Sequence, residues 1–259
     1  MGIVFQANKG ILELPAAEFE ERFREQDLTY RNALIQPGQD VATIKAAELT
    51  KGEVEMIMLK LDQMAMSTQH EGIANMVAEE FESILTAIRM VKTETKEPFR
   101  GLLGFGAQLD IVWLRPKDIG GSLLNAPGTA SKGLYGGTSG GVYTWLNTFT
   151  ANTAAEVIPE QTMAEEAAVI HLGAIDPVEV PKCNAITFTI AGVSAPAQSL
   201  PFNIRQTFSD NSVPFVRFEK PIIIGPEKKQ KVEVMPNISG DSKFQLLSFL
   251  IAKAESLTA

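Results

Sequence analysis

The sequence predicts a mainly β protein with a helical N-terminal part, in which residues 101–259 form an eight-stranded antiparallel β-sandwich of jelly-roll type. Three observations lead there. Eleven of the 14 prolines lie from Pro116 onward, and proline punctuates strands and turns while breaking helix interiors. Six of the nine methionines lie between Met56 and Met90, and methionine favours helix. Clean apolar–polar alternation, the period of a half-buried strand, runs through the second half. The composition changes near residue 100, which divides the chain into a helix-rich region 1–100 and the sandwich 101–259.

In the first region, Pro15 to Gln26 reads as a helix. Pro15 suits a first turn, Glu18, Glu20 and Glu21 sit near the positive end of the helix dipole, and Phe19 and Phe23 share a face. Leu28 to Thr50 is irregular, with a turn at Pro37-Gly38. Glu53 to Met66 is ambiguous between helix and strand, because its apolar residues satisfy both periods. Gly72 to Thr93 is the clearest helix: Ile73, Met76, Val77, Phe81, Ile84, Leu85, Ile88 and Val91 make one apolar stripe, with Glu79, Glu80 and Glu82 away from it.

The sandwich is expected to begin with a strand over Phe105–Leu114. A long loop over 118–141 follows, holding eight of the 20 glycines. Its run Gly136-Gly137-Thr138-Ser139-Gly140-Gly141 loses too much entropy on ordering to be a regular element, and a loop of that length is functional or disordered. Seven further strands are expected at Val142–Thr150, Ala167–Gly173, Asn184–Ala191, Ser199–Phe208, Pro214–Ile224, Gln230–Met235 and Lys243–Lys253. Ile186, Phe188 and Ile190 alternate with Thr187 and Thr189, and Val232 and Val234 alternate with Lys231 and Glu233. Eight short strands with Pro and Gly turns fit a two-sheet sandwich. The last strand breaks the pattern. Phe244, Leu246, Phe249 and Ile251, with Leu247 and Leu250, make both faces apolar, so it needs a cover from the N-terminal helices or from another subunit.

Composition excludes several classes of function. The net charge is −8, with −6 of it in residues 1–100, which argues against direct nucleic-acid binding. No apolar run reaches the roughly 18 residues a membrane helix needs. Met1 to Gln6 lacks the basic and apolar regions of a signal peptide, and Gln6 stands where a myristoylation site needs Ser or Thr. Cys183 is the one cysteine, so no intrachain disulfide forms and the thiol reads as a small packed hydrophobe.

Chemistry is sparse. The two histidines, His70 and His171, are too far apart in sequence for a ligand pair, so neither a metal nor a cofactor is expected. His171 reads as a partly buried or surface residue of its strand. The residues around Cys183 match no nucleophile signature, and no glycine cluster fits a phosphate loop. Lys228, Lys229 and Lys231 read as a solvated turn that discourages edge pairing. No catalytic residue emerges, and the chain is not expected to be an enzyme.

The pattern Lys220-Pro221-Ile222-Ile223-Ile224-Gly225-Pro226, then Lys231-Val232-Glu233-Val234, then Gly240 and Phe244-Gln245-Leu246-Leu247, resembles the closing strands of jelly-roll coat proteins of icosahedral viruses of bacteria and archaea. The resemblance covers about the last 120 residues and is one of rhythm. It implies a self-assembling virion shell subunit, assembled in the host cytoplasm. Such a subunit forms a homo-oligomer through sandwich faces and loops, Phe244, Leu246, Phe249 and Ile251 among them, alongside other virion proteins. The acidic N-terminus departs from the Arg-rich arm of coat proteins that condense RNA. The alternative is a carbohydrate- or ligand-binding sandwich module, including a phage tail or spike subunit. There Trp113, Tyr143 and Trp145, with Tyr135, flank the glycine loop as a stacking platform.

Overall fold

The computed structural model describes residues 3–7, 10–14, 48–68, 71–101, 106–119, 124–125, 145, 147–176, 182–191, 198–203 and 215–257. The chain divides into two compact units, Met1–Val112 with Ile251–Ala259, and Trp113–Leu250.

The first unit opens on an antiparallel hairpin of β1 (Ile3–Ala7) and β2 (Gly10–Leu14). Among the described residues up to 101, the helices are α1 (Lys51–Ser67), α2 (Glu71–Glu79) and α3 (Phe81–Thr95). Thr50 and Glu53 decide that α1 is helical. The Thr50 hydroxyl accepts from the Glu53 N–H, and the Glu53 carboxylate accepts from the Thr50 N–H, a reciprocal capping box. Val54, Ile57, Met58, Leu61 and Ala65, three and four apart, are then buried on one face. The expected single helix Gly72–Thr93 is two helices, α2 and α3. The chain breaks at Glu80, which has φ −94° and ψ 14°, in the bridge region between helix and extended backbone. The apolar stripe continues through Ile84, Leu85, Ile88 and Val91, all buried. α3 ends at Lys96, whose φ of 60° is left-handed and whose N–H donates to the Lys92 carbonyl. The expected helix Pro15–Gln26 lies outside the described residues.

The antiparallel sandwich is built from a four-stranded and a five-stranded sheet, most of whose strands belong to the second unit. The first has the order β10-β7-β13-β3, with β3 at Leu109–Trp113, β7 at Ala168–Ile175, β10 at Phe215–Ile224 and β13 at Gln245–Lys253. The second has the order β4-β6-β11-β8-β9, with β4 at Leu124–Asn125, β6 at Ala155–Met163, β8 at Cys183–Ala191, β9 at Gln198–Asn203 and β11 at Lys229–Pro236. A separate ribbon joins β5 (Asn147–Phe149) to β12 (Gly240–Ser242), so the strand expected at Val142–Thr150 belongs to neither sandwich sheet. Sequence reading expected no strand at β1, β2, β4, β6 or β12, and the longest of these is β6. Between the pairs Gln230↔Gln161 and Val232↔Ile158, β6 spends three residues where β11 spends two. This bulge brings Val157, Ile158 and Pro159 into the interior in succession and erases the period of two.

Inside the sandwich, Phe188 of β8 meets Phe218 of β10 edge to face, ring centroids 5.3 Å apart, the arrangement their quadrupoles favour. Every residue of β7 is buried. Gly173 shows why it is glycine: a Cβ there would lie 2.3 Å from the Val216 carbonyl oxygen on the paired strand β10. Backbone cannot yield as a side-chain tip can. Gly173→Ala is therefore expected to cost roughly 2–3 kcal/mol or more, read as a lowered urea midpoint, with Ala174→Gly as the milder comparison.

Prolines within strands sit where a missing N–H does least harm. Pro221 falls in the irregular stretch of β10 between Arg217 and Ile222, and β10 is an edge strand. Pro201 lies opposite Thr187 in β9, the edge of the second sheet.

Candidate functional site

The sequence-derived candidates that are described are buried or half-buried. Phe244, Leu246, Phe249 and Ile251 are 0–3% exposed. The chain itself covers both faces of β13, and these four side chains need no second subunit to bury them. Trp113 is half-buried with its ring 4.3 Å from that of Phe249, and Trp145 is buried. Tyr143, Tyr135 and most of the 118–141 loop lie outside the described residues.

His171, read from sequence as partly buried or at the surface, is fully buried and bonded at both nitrogens. Its Nε2 lies 2.8 Å from Gln230 Oε1, and its Nδ1 lies 2.7 Å from Ser248 Oγ. The Gln230 amide nitrogen turns toward Met163 Sδ at 3.8 Å. That leaves its carbonyl to accept from a protonated Nε2, while Nδ1 accepts from the Ser248 hydroxyl. The ring packs at 5.0 Å from Phe188. Burial lowers its pKa from 6.5 to about 4, so the imidazole is neutral at pH 7. A serine beside a histidine suggests a nucleophile and its base, but Ser248 and His171 are both 0% exposed, and no substrate reaches them. Ser248 and His171 stand on neighbouring strands of one sheet, and the bond from His171 to Gln230 links that sheet to the other.

Cys183 is buried, and burial pushes its thiol well above the usual range, with Asp176 nearby adding to the rise. The thiolate is the reactive form. Native protein at pH 8 is therefore expected to resist iodoacetamide, with alkylation appearing only as urea unfolds it, read by intact mass. Among the described residues no three His, Cys, Asp or Glu side chains cluster as metal ligands, and no helix is long and apolar enough to cross a membrane.

What the first unit does offer is a cleft of about 350 Å³, lined by Thr50, Gly52, Glu53, Met56, Lys92, Lys96, Pro98, Phe99 and Arg100. The start of α1, the end of α3 and residues 96–100 form its walls. Its floor is a buried ion pair. Lys92 Nζ donates to Glu53 Oε1 at 2.7 Å and Oε2 at 2.8 Å, and to the Glu48 carbonyl at 2.6 Å. Glu53 also accepts from the Thr50 N–H and hydroxyl and from the Phe99 N–H. Burial alone would push the Glu53 carboxyl up. The bonds from Lys92, Thr50 and Phe99 outweigh it and hold the carboxyl below its ordinary range.

The rim differs from the floor. Lys96 and Arg100 are exposed, and neither side chain has an ionic or hydrogen-bond partner among the described residues. A Cβ on Gly52, in the first turn of α1, would meet nothing within 4 Å, so the wall is open there. Three cations line the cleft against one carboxylate, a local balance of +2 in a chain of −8. Sequence reading missed this site. Thr50-Lys51-Gly52-Glu53 carried a legible capping box, but nothing in the sequence announced that Lys96 and Arg100 would stand beside it.

Comparison with known proteins adds little. No known family's profile matches the chain, and no curated protein matches it. Among solved structures, TmCBM61 in complex with beta-1,4-galactotriose aligns with TM-score 0.28 and 12% identity, covering 56% of this chain and 81% of that one. Dimeric latent PorU from Porphyromonas gingivalis aligns with TM-score 0.24 and 11% identity, covering 60% and 14%. Family 16 Carbohydrate Binding Module-2 aligns with TM-score 0.21 and 6% identity, covering 43% and 79%. At these values the likenesses place no residue and assign no ligand.

Proposed function

We propose that this chain is a non-catalytic ligand-binding protein, a β-sandwich joined to a helical unit whose cleft takes a small anion bearing a phosphate or carboxylate. The observation that carries this reading is the pair of exposed cations, Lys96 and Arg100, without ionic partners among the described residues, on the rim of a cleft whose inner ion pair is already satisfied. In an acidic chain a locally positive concavity attracts and orients an anion. Arg100 can offer a planar fork to two oxygens and Lys96 a point charge. The virion-shell reading lacks comparable support, because the apolar strand on which it rested is covered within the chain.

The backbone at Lys96 strengthens the proposal. A non-glycine residue at φ 60° where a helix ends occupies the position glycine fills most easily. Holding lysine there costs about 1 kcal/mol, a cost that a needed side chain would justify. Lys96→Gly should therefore separate stability from binding. Titration with inorganic phosphate and with galacturonate, followed by calorimetry at low salt, is expected to show binding that weakens as salt screens it. Lys96→Gly should raise the melting temperature yet weaken binding roughly fivefold to tenfold. Arg100→Gln should weaken binding similarly without the gain in stability. No heat with either anion, or wild-type affinity in both variants, would remove the reading.

A further inference from the structure

A second polar group lies inside the sandwich, remote in sequence from the cleft residues. Gln161 of β6 is 0% exposed, and neither its amide nitrogen nor its carbonyl oxygen has a hydrogen-bond partner in the protein. Among the fully buried residues described, it alone leaves both ends of a polar side chain unmatched and makes no other side-chain interaction. The cost of such a group without partners is large enough that natural interiors almost never carry one.

Its surroundings have the chemistry of a hydration site. Gln161 is in register opposite Gln230 on β11. Cross-strand partners project to the same face of a sheet, and Gln230 reaches His171 in the facing sheet. Gln161 therefore projects between the sheets, beside the chain that runs from Ser248 through His171 to Gln230 and on to Met163. The Gln230 amide nitrogen has two hydrogens and gives only one, over a long contact, to sulfur. One unspent donor and a whole unspent carboxamide stand on neighbouring strands. The β6 bulge next to them, between Gln161 and Ile158, disturbs the regular packing of side chains there.

We propose that Gln161 and Gln230 together hold an internal water molecule between the two sheets of the sandwich, a binding site for solvent built into the core. Such a water accepts from Gln230, donates to the Gln161 carbonyl and accepts from the Gln161 amide. Three bonds to the protein are what a buried water ordinarily makes. It completes the polar chain that crosses from one sheet to the other.

Two measurements on the full chain test this. In crystals diffracting to high resolution, ordered density is expected within hydrogen-bond distance of both carboxamides and out of reach of bulk solvent. In solution, the Gln161 side-chain amide protons should show a cross-relaxation peak to water with the sign of a long-lived molecule. Gln161→Met, which keeps the length and removes both polar atoms, should abolish the density and leave Gln230 without its solvent cross-peak. If the wild-type carboxamide instead turns to a protein partner, with neither density nor cross-peak, the site does not exist. A water that persists unchanged in a folded Gln161→Met protein also overturns the proposal, since Gln161 would then not be holding it. Should that variant fail to fold, Gln161→Glu read by the same cross-peak at low pH, where the carboxyl is neutral, replaces it: retention of the water supports the site, and its loss from a folded protein overturns it.

Discussion

Glu53→Ala is expected to lower the stability of the helical unit by roughly 3–5 kcal/mol, the usual cost of removing one partner from a buried ion pair. Glu53 accepts from Lys92, Thr50 and Phe99 together. Its loss strands the Lys92 ammonium, whose side chain is 11% exposed, and also orphans two backbone donors. Only half of the α1 capping box goes with it, because the N–H of residue 53 can still donate to the Thr50 hydroxyl. Far-UV circular dichroism through a urea titration reads the loss as helix melting ahead of the sandwich. The pair itself need not be net stabilising, because both ions are desolvated. Glu53→Ala with Lys92→Met is therefore expected to recover part of the deficit, and a double-mutant cycle gives the coupling directly. A Glu53→Ala protein as stable as the parent would mean that the ion pair holds nothing together.

Acidification is expected to destabilise the sandwich between about pH 6.5 and pH 4, through His171. The folded imidazole titrates at about 4 and the ordinary value is 6.5. Between those values the unfolded chain binds a proton that the folded chain refuses, so folded stability falls as pH falls and levels off below pH 4. At 1.36 kcal/mol for each pKa unit, the full loss approaches about 3 kcal/mol. The geometry states the same thing. Gln230 can only accept at Nε2, so a proton added at Nδ1 forces the Ser248 hydroxyl to turn from donor to acceptor. Glu53 adds to acid sensitivity at lower pH, because its depressed carboxyl supplies stability that is lost as it protonates. His171→Gln removes the titrating group while keeping an amide able to donate and accept. Its urea midpoint is expected to vary less over pH 6.5 to 4 than that of the parent, whatever its absolute stability. Parallel pH profiles would show that His171 is not the group responsible.

Much of the sandwich was legible because its strands obey simple rules. In β8 and β11 the buried residues alternate with partly exposed ones, as at Ile186 and Phe188 against Thr187, and Val232 and Val234 against Lys231 and Glu233. β13 announced itself by being apolar on both faces, but sequence could not say what would cover them. β6 escaped notice because its bulge places Val157, Ile158 and Pro159 inward together, a pattern with neither a period of two nor one of 3.6. The break at Glu80 was hidden for a different reason. No glycine or proline marks it, and the apolar spacing of α2 and α3 runs on across it. The cleft was the least legible feature, since residues 50–53 and 92–100 meet only through the packing of α1 against its neighbours. Local pattern reports which face of an element is wet. It does not report which two distant wet residues will stand side by side.

The edge prolines carry a consequence for how this molecule behaves in a crowd. A sheet edge with an unbroken row of donors and acceptors is a template for another chain. β9 and β10 each interrupt that row, with Pro201 in one and with Pro221 and a register shift in the other. Sticking edge to edge, the usual route from a β-rich monomer to fibrils, is thereby obstructed on one side of each sheet. Substituting both prolines with threonine, a good strand former, would be expected to leave the fold intact while shortening the lag before fibrils form. These two residues act as sentries whose value lies in the pairings that never occur.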